Sequence, residues 1–291
     1  MRWQGRRQST NIEDRRGMRV TRRGAVGGGV GLLALVLIGM FLGVDPRLIL
    51  GGAQVVNAVA PPQARVEDTG PYQESAEEAQ ERQFLAVVLA DTEDVWGSVF
   101  AQGGASYRQP KLVLFDGAVE SACGLAESAM GPFYCPPDER VFLDTSFFDE
   151  MSRRMGAQGD FAQAYVVAHE VGHHVQNLLG TSDQVHQLQQ RYGGARANQL
   201  SVMLELQADC YAGVWAHHAE RMHGIIESGD VEEALGAAAA VGDDRLQRQA
   251  RGFVVPDSFT HGTSEQRVRW FRTGLQSGSM QACDTFSADK L

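Results

Sequence analysis

His169 and His173 stand four residues apart, with Glu170 directly after the first, in Tyr165-Val-Val-Ala-His-Glu-Val-Gly-His-His174. On a helix that spacing projects both imidazoles from one face, where they can share a single ion. Glu170 lies one step round the helix, in reach of a water at the ion but not itself a ligand. This is the logic of H-E-x-x-H, in which zinc acidifies a water and the glutamate takes its proton. The bland alternative is a buried helix with two incidental histidines. It would have to bury two imidazoles and a carboxylate without partners, which is costly. Gly172 also counts against it, because glycine inside a helix costs about 1 kcal/mol relative to alanine. Such a residue is kept where a strand, a helix or a substrate approaches closely.

A catalytic zinc takes three protein ligands and keeps one position open. Glu205-Leu-Gln-Ala-Asp209 offers two acids four residues apart, on an apolar helix that includes Leu200, Leu204, Leu206, Tyr211 and Trp215. The economical division makes Glu205 the third ligand. Asp209 then accepts the free N–H of a ligand histidine; the reverse assignment is the alternative. Two neutral imidazoles and one carboxylate would leave the ion a net positive charge, enough to polarise a carbonyl. The other histidines read more plainly: His174 as a packing residue, and His186, His217, His218 and His223 as surface. His261 has two readings, set by its place in the turn Ser258-Phe-Thr-His-Gly-Thr-Ser-Glu-Gln-Arg267. It could donate a hydrogen bond to an oxyanion, or belong to a capping segment that docks the C-terminus.

The elements that must position these residues are legible from periodicity. Phe84, Val87, Val88, Val95 and Val99 recur at helical spacing until Gly103-Gly104. Lys111-Leu-Val-Leu-Phe115 is a short β-prone run, and Val141-Phe-Leu143 a second one after the Cys135-Pro-Pro-Asp138 turn. Beyond it the chain reads as helical over 145–155, 160–179, 182–192, 198–223, 230–251 and 264–276. Asp160 is placed to cap the second of these. A small sheet packed on the helix of the two histidines, followed by a mainly helical C-terminal part, is an α+β pattern.

With 43% apolar and 21% charged residues, the 291-residue chain has the profile of a globular protein. Its net charge of −10 is unevenly spread. Residues 1–23 carry eight arginines against Glu13 and Asp14, so the remainder is strongly acidic. An acidic body without a basic patch excludes nucleic acid as the expected partner. After Arg22-Arg23, residues 25–44 form an uncharged, mostly apolar run that matches a bilayer core of about 30 Å. The expectation is a basic cytoplasmic tail (1–23), a single transmembrane helix (24–45) and a flexible linker (46–80). A zinc-binding domain (81–291) would then lie outside the cytoplasm, held to the lipid bilayer by the anchor. A cleaved signal peptide ending near Asn57-Ala-Val-Ala60 is the alternative.

Four cysteines, Cys123, Cys135, Cys210 and Cys283, suit an oxidising compartment and allow three pairings. The turn-rich loop with Gly124, Gly131 and Pro132 favours Cys123–Cys135, leaving Cys210–Cys283; four buried free thiols are the alternative.

These stretches together resemble a known family. Ala122-Cys-Gly124, Gly131-Pro-Phe-Tyr-Cys-Pro136, Ala168-His-Glu-Val-Gly-His-His174, Glu205-Leu-Gln-Ala-Asp-Cys210-Tyr-Ala-Gly-Val-Trp215 and Thr260-His-Gly-Thr-Ser-Glu-Gln-Arg267 are similar to the predicted neutral zinc metallopeptidases of the bacterial YpfJ type. The resemblance runs from about residue 83 to the C-terminus and includes the basic N-terminus with its single anchor. It implies a zincin-like fold, one catalytic Zn2+ and a polypeptide substrate. A more distant likeness is to membrane zinc endopeptidases of the Ste24/HtpX kind. That likeness implies Glu205 as ligand, Asp209 behind the ligand histidines, His261 as an oxyanion donor and Arg267 as a supporting residue. The chain departs from it with Gly262 where those enzymes usually carry proline, and with one anchor instead of several spans. The expected reaction is peptide-bond hydrolysis with Glu170 as base, the substrate adding to an exposed sheet edge at Lys111–Phe115. The rival expectation is a non-catalytic, metal-stabilised module that binds envelope proteins; a non-peptidase zinc hydrolase shares the same metal site.

Overall fold

The computed structural model describes residues 1–21, 65–68, 72–127 and 130–291. The expected anchor at 24–45 lies outside the described residues, as does most of the expected linker. Among the described residues no helix is long and apolar enough to cross a membrane. The chain divides into two compact units, Met1–Arg16 with Gln73–Leu291, and Gly17–Tyr72. In the second unit, β2 (Met18–Thr21) pairs antiparallel with β3 (Arg65–Asp68).

The larger unit is built on a four-stranded sheet of order β1-β4-β8-β7. Strands β1 (Ile12–Asp14), β4 (Lys111–Phe115) and β8 (Arg140–Asp144) run parallel, and β7 (Phe133–Cys135) runs antiparallel beyond β8. Leu112, Val113, Leu114 and Phe115 are all buried, as are Val141 to Asp144, the continuous pattern of strands covered on both faces. A separate hairpin joins β5 (Ala118–Ser121) to β6 (Gly124–Glu127). Among the described residues eight helices follow or flank the sheet: α1 (Ala76–Gln102), α2 (Ser146–Met155), α3 (Asp160–Leu178), α4 (Thr181–Tyr192), α5 (Gly194–His223), α6 (Asp230–Ala240), α7 (Asp243–Arg251) and α8 (Ser264–Ser277). The architecture is α+β, as the sequence implies.

Four expectations need correction. Residues 1–16 are not a tail set apart from the domain. They contribute β1 to the sheet, with Ile12 opposite Leu112, and belong to the same compact unit. Their arginines are ion-paired to the body: Arg6 holds Asp91 through two bonds of 2.6 and 2.7 Å, and Arg7 bonds Glu93 at 2.9 Å. Strand β4 is not an edge, because β1 covers the side away from β8. The expected linker is also shorter than the sequence suggests. Helix α1 starts at Ala76, set by a capping box in which Ser75 and Glu78 bond each other's backbone N–H. The helix expected over 230–251 is broken at Val241-Gly242 into α6 and α7.

The disulfides are those favoured from sequence. Cys123 bonds Cys135, tying β7 to the β5–β6 turn, and Cys210 bonds Cys283, tying α5 to the C-terminal segment. Helix α3 occupies the centre, with Phe161, Ala164, Tyr165, Ala168 and Val171 buried. Asp160 does not cap it by the usual bond. Gly159 is the cap residue, Glu233 of α6 accepts from the Phe161 N–H, and Asp160 accepts from the Met1 amino group at 2.8 Å.

Candidate active site

Helix α3 carries His169, Glu170 and His173, and α5 carries Glu205 and Asp209. What lets the two helices meet is Gly172. A β-carbon there would stand 2.9 Å from the Ala208 carbonyl oxygen, so a bare backbone is required at the crossing. One turn away, Glu205 Oε2 lies 3.2 Å from His169 Nε2, and Oε1 lies 3.4 Å from His173 Nε2. A tetrahedral zinc with bonds of about 2.05 Å separates its ligand atoms by about 3.3 Å. Both histidine–carboxylate separations therefore match the spacing the ion needs, the three donor atoms lie within 4.8 Å of one another, and their chemistry, two imidazoles and a carboxylate, suits it.

The far side of each ring is also engaged. Asp209 Oδ1 is 2.9 Å from His169 Nδ1, and Gln176 Oε1 is 2.9 Å from His173 Nδ1. Both contacts leave Nε2 facing Glu205. Asp209 is fully buried and is gripped by Arg267 of α8 through two bonds of 2.8 Å, while the Tyr165 hydroxyl donates to it. Gln176 is anchored in turn by donating to the Leu204 carbonyl and to Gln207. Glu205 faces Nε2 of both rings, whereas Asp209 faces Nδ1 of His169, on the far side from His173. Tyr165 and Gln176 were missed. The available signal was their position, four residues before His169 and three after His173, on the same helical face.

Electrostatics favour a cation here. Burial opposes charge on His169, but Asp209 and Glu205 outweigh it and raise its pKa; Glu205 does the same to His173. Burial likewise opposes ionisation of Glu205, yet the two histidines hold it well below the usual carboxylate range. These three side chains thus sit in a negative potential that a divalent ion can satisfy in place of protons. Glu170 is buried beside them, and among the described residues no hydrogen bond ties down its side chain.

The turn with His261 lies against the same part of α5. A β-carbon on Gly262 would touch Val202 and Leu206, the residues flanking Glu205 on that face. Gly262 has φ +86°, a value closed to proline, which accounts for its departure from the more distant enzymes. Thr263 caps α8 in a capping box with Gln266, so this turn does cap a helix as well as carry the histidine. His174 is buried between the Tyr134 hydroxyl at 2.9 Å and the Arg108 carbonyl at 2.6 Å, a structural role. His217 and His218 bond the Leu275 and Gly278 carbonyls at the end of α8.

His169 and His173 of an H-E-x-x-H helix and Glu205 of a second helix form a group that could hold a metal ion. The chain belongs to the family described as "Putative neutral zinc metallopeptidase", which it matches over residues 1–286. It is 50% identical over 294 residues to the uncharacterized protein YpfJ of Escherichia coli K12, covering 98% of this chain and 99% of that protein. It is 47% identical over 195 residues to the uncharacterized protein Rv2575 of Mycobacterium tuberculosis H37Rv, covering 64% and 65%. No solved structure matches the chain. The family implies Zn2+ as the cofactor and a polypeptide as the substrate.

Proposed function

We propose that the protein is a zinc metallopeptidase acting outside the cytoplasm, with His169, His173 and Glu205 as the ligands and Glu170 as the catalytic base. The observation that carries this reading is the pair of ligand-atom separations, 3.2 and 3.4 Å, with an untethered buried carboxylate beside them. When bound, zinc supplies a Lewis acid that brings the pKa of a water towards about 7 and polarises the scissile carbonyl. Glu170 takes the proton of the attacking water and hands it to the leaving amine. Asp209 and Gln176 fix the ligand rings, and Arg267 and Tyr165 keep Asp209 in place. His261 donates to the oxyanion as it forms. An extended peptide adds to β7, one of the two edge strands of the four-stranded sheet, which Tyr134 ties to α3 through His174 and Asn177.

Two disulfides support an oxidising compartment, and the apolar run at 25–44 supports attachment to a membrane. The rival reading, a closed structural zinc site in a binding module, needs a fourth protein ligand. Asp209 is held by Arg267 and faces Nδ1 of His169, away from Glu205, which weighs against it as that ligand. The deciding test compares wild type with Glu170→Gln for zinc content and for cleavage of unfolded casein. One zinc per chain in both, with cleavage reduced about 100- to 10,000-fold in the variant, is expected. Undiminished cleavage by Glu170→Gln would overturn the mechanism.

A further inference from the structure

The turn that bears His261 is held by one side chain from a different helix. Asp243, the first residue of α7, is 8% exposed. Its Oδ2 accepts from three successive backbone N–H groups, Thr260 at 2.8 Å, His261 at 2.6 Å and Gly262 at 3.0 Å. Its Oδ1 lies 3.3 Å from His261 Nδ1, which the Thr260 hydroxyl also approaches at 3.0 Å, and its own N–H donates to the Gly262 carbonyl at 2.8 Å. The contact is reciprocal: the start of α7 and the 260–262 turn hold each other by backbone and side chain together. Next along, Asp244 accepts from the Ser264 N–H and hydroxyl, which locks the start of α8 to the same junction.

We propose that Asp243 is the positioning residue for His261, fixing its ring by Nδ1 so that Nε2 is presented, as a protonated donor, to the oxyanion at the zinc site. This rests on the peptidase reading above and assigns that reaction a residue from outside the metal-binding helices. The His261 side chain is half exposed, so its ring is reachable by a substrate and is not merely a packing element. If Nδ1 is committed to Asp243, a neutral ring offers only a lone pair at Nε2, whereas an imidazolium offers an N–H. The reaction therefore depends on the ring remaining charged.

The groups acting on that charge are Asp243 of α7, Glu205 of α5 and Arg267 of α8. The Asp243 hydrogen bond raises the His261 pKa, burial lowers it, Glu205 raises it and Arg267 lowers it, with a net rise. Zinc would spend the Glu205 charge, whereas Asp243 touches no ligand and keeps its effect. Folded-state charge on His261 is thus stabilised below the ordinary histidine value of about 6.5 and on above it, and is lost as pH rises through the raised value. The alkaline limb of the pH profile should report it.

The experiment uses the full-length zinc-loaded protein with histidine-selective NMR titration, His261→Gln serving to assign the resonance. Wild type should show the His261 ring titrating above about 6.5. Asp243→Asn, which keeps an oxygen for the turn's N–H groups, should move it back down while zinc content and melting are retained. With casein as substrate, Asp243→Asn should lose about 10- to 100-fold in kcat with little change in KM. Its alkaline limb should move to lower pH, and His261→Gln should lack that limb. An unmoved ring titration in Asp243→Asn overturns the proposal, as does a wild-type pH profile for that variant. A wild type that binds zinc but cleaves nothing overturns the peptidase reading instead, and the ring titration still decides whether Asp243 governs His261.

Discussion

At the scale of single residues, each imidazole of the proposed zinc site is held by a partner of different chemistry. His169 leans on a buried carboxylate that is itself gripped by Arg267, and His173 on a neutral amide. Removing the amide is the cleaner test, because Gln176 carries no charge whose loss would leave an ion stranded in the core. Gln176→Ala should weaken zinc binding about 10- to 100-fold in competition with a chelator, with the fold intact. Unchanged affinity would mean that the glutamine only packs. The cluster that could hold a metal is legible in the sequence because helical spacing alone puts His169 with His173, and Glu205 with Asp209, on common faces. Asp243 was not legible: it lies 18 residues before His261, and only the break between α6 and α7 turns it towards the 260–262 turn.

At the scale of elements, the site is a crossing of two helices held close by one missing side chain. Substitution of Gly172 by alanine sets two effects against each other. Helix propensity improves by about 1 kcal/mol, but the new methyl meets the Ala208 backbone at 2.9 Å, where nothing flexible can give way. Overpacking at such contacts costs about 1–3 kcal/mol, so a net loss of stability is expected in denaturant titration. Zinc binding should weaken with it, because Glu205 lies less than one turn from Ala208. A stabilised Gly172→Ala variant with full zinc affinity would contradict this account of the crossing. The long helices were legible from their apolar period, and β4 from its unbroken run. What period could not reveal was β1, three residues among arginines whose partner strand lies about a hundred positions away. Without β1, β4 reads as an edge open to an added strand, which in the sheet it is not.

At the scale of the whole molecule, the charge asymmetry takes on a different meaning. Eight arginines near the N-terminus suggested cations waiting at a membrane surface, yet several of them are matched to acids of the body. Arg6 pairs with Asp91, Arg7 with Glu93 and Asp94, and Arg16 with Asp14 and Glu74. Glu13 in β1 gathers Arg15, Lys111 and Arg140, and its pKa falls to about 2, with the Lys111 bond as the largest cause. The parallel pairing of β1 with β4 also constrains how the chain can be threaded. Two strands that exchange backbone hydrogen bonds cannot have a lipid bilayer between them. Arg16 and Gln73 are ends of one folded body, so both must be delivered to one compartment, whatever lies between them in sequence. The arrangement with residues 1–16 in the cytoplasm and the zinc site outside is therefore incompatible with this sheet. Cysteines introduced at exposed Gln8 and exposed Asp183 should react with an impermeant maleimide in membrane vesicles of the same orientation. Labelling in opposite orientations would mean that β1 is contributed to the sheet by some other route. With both cysteines labelled in the same orientation, export of this protein is complete only when its first sixteen residues have joined the rest.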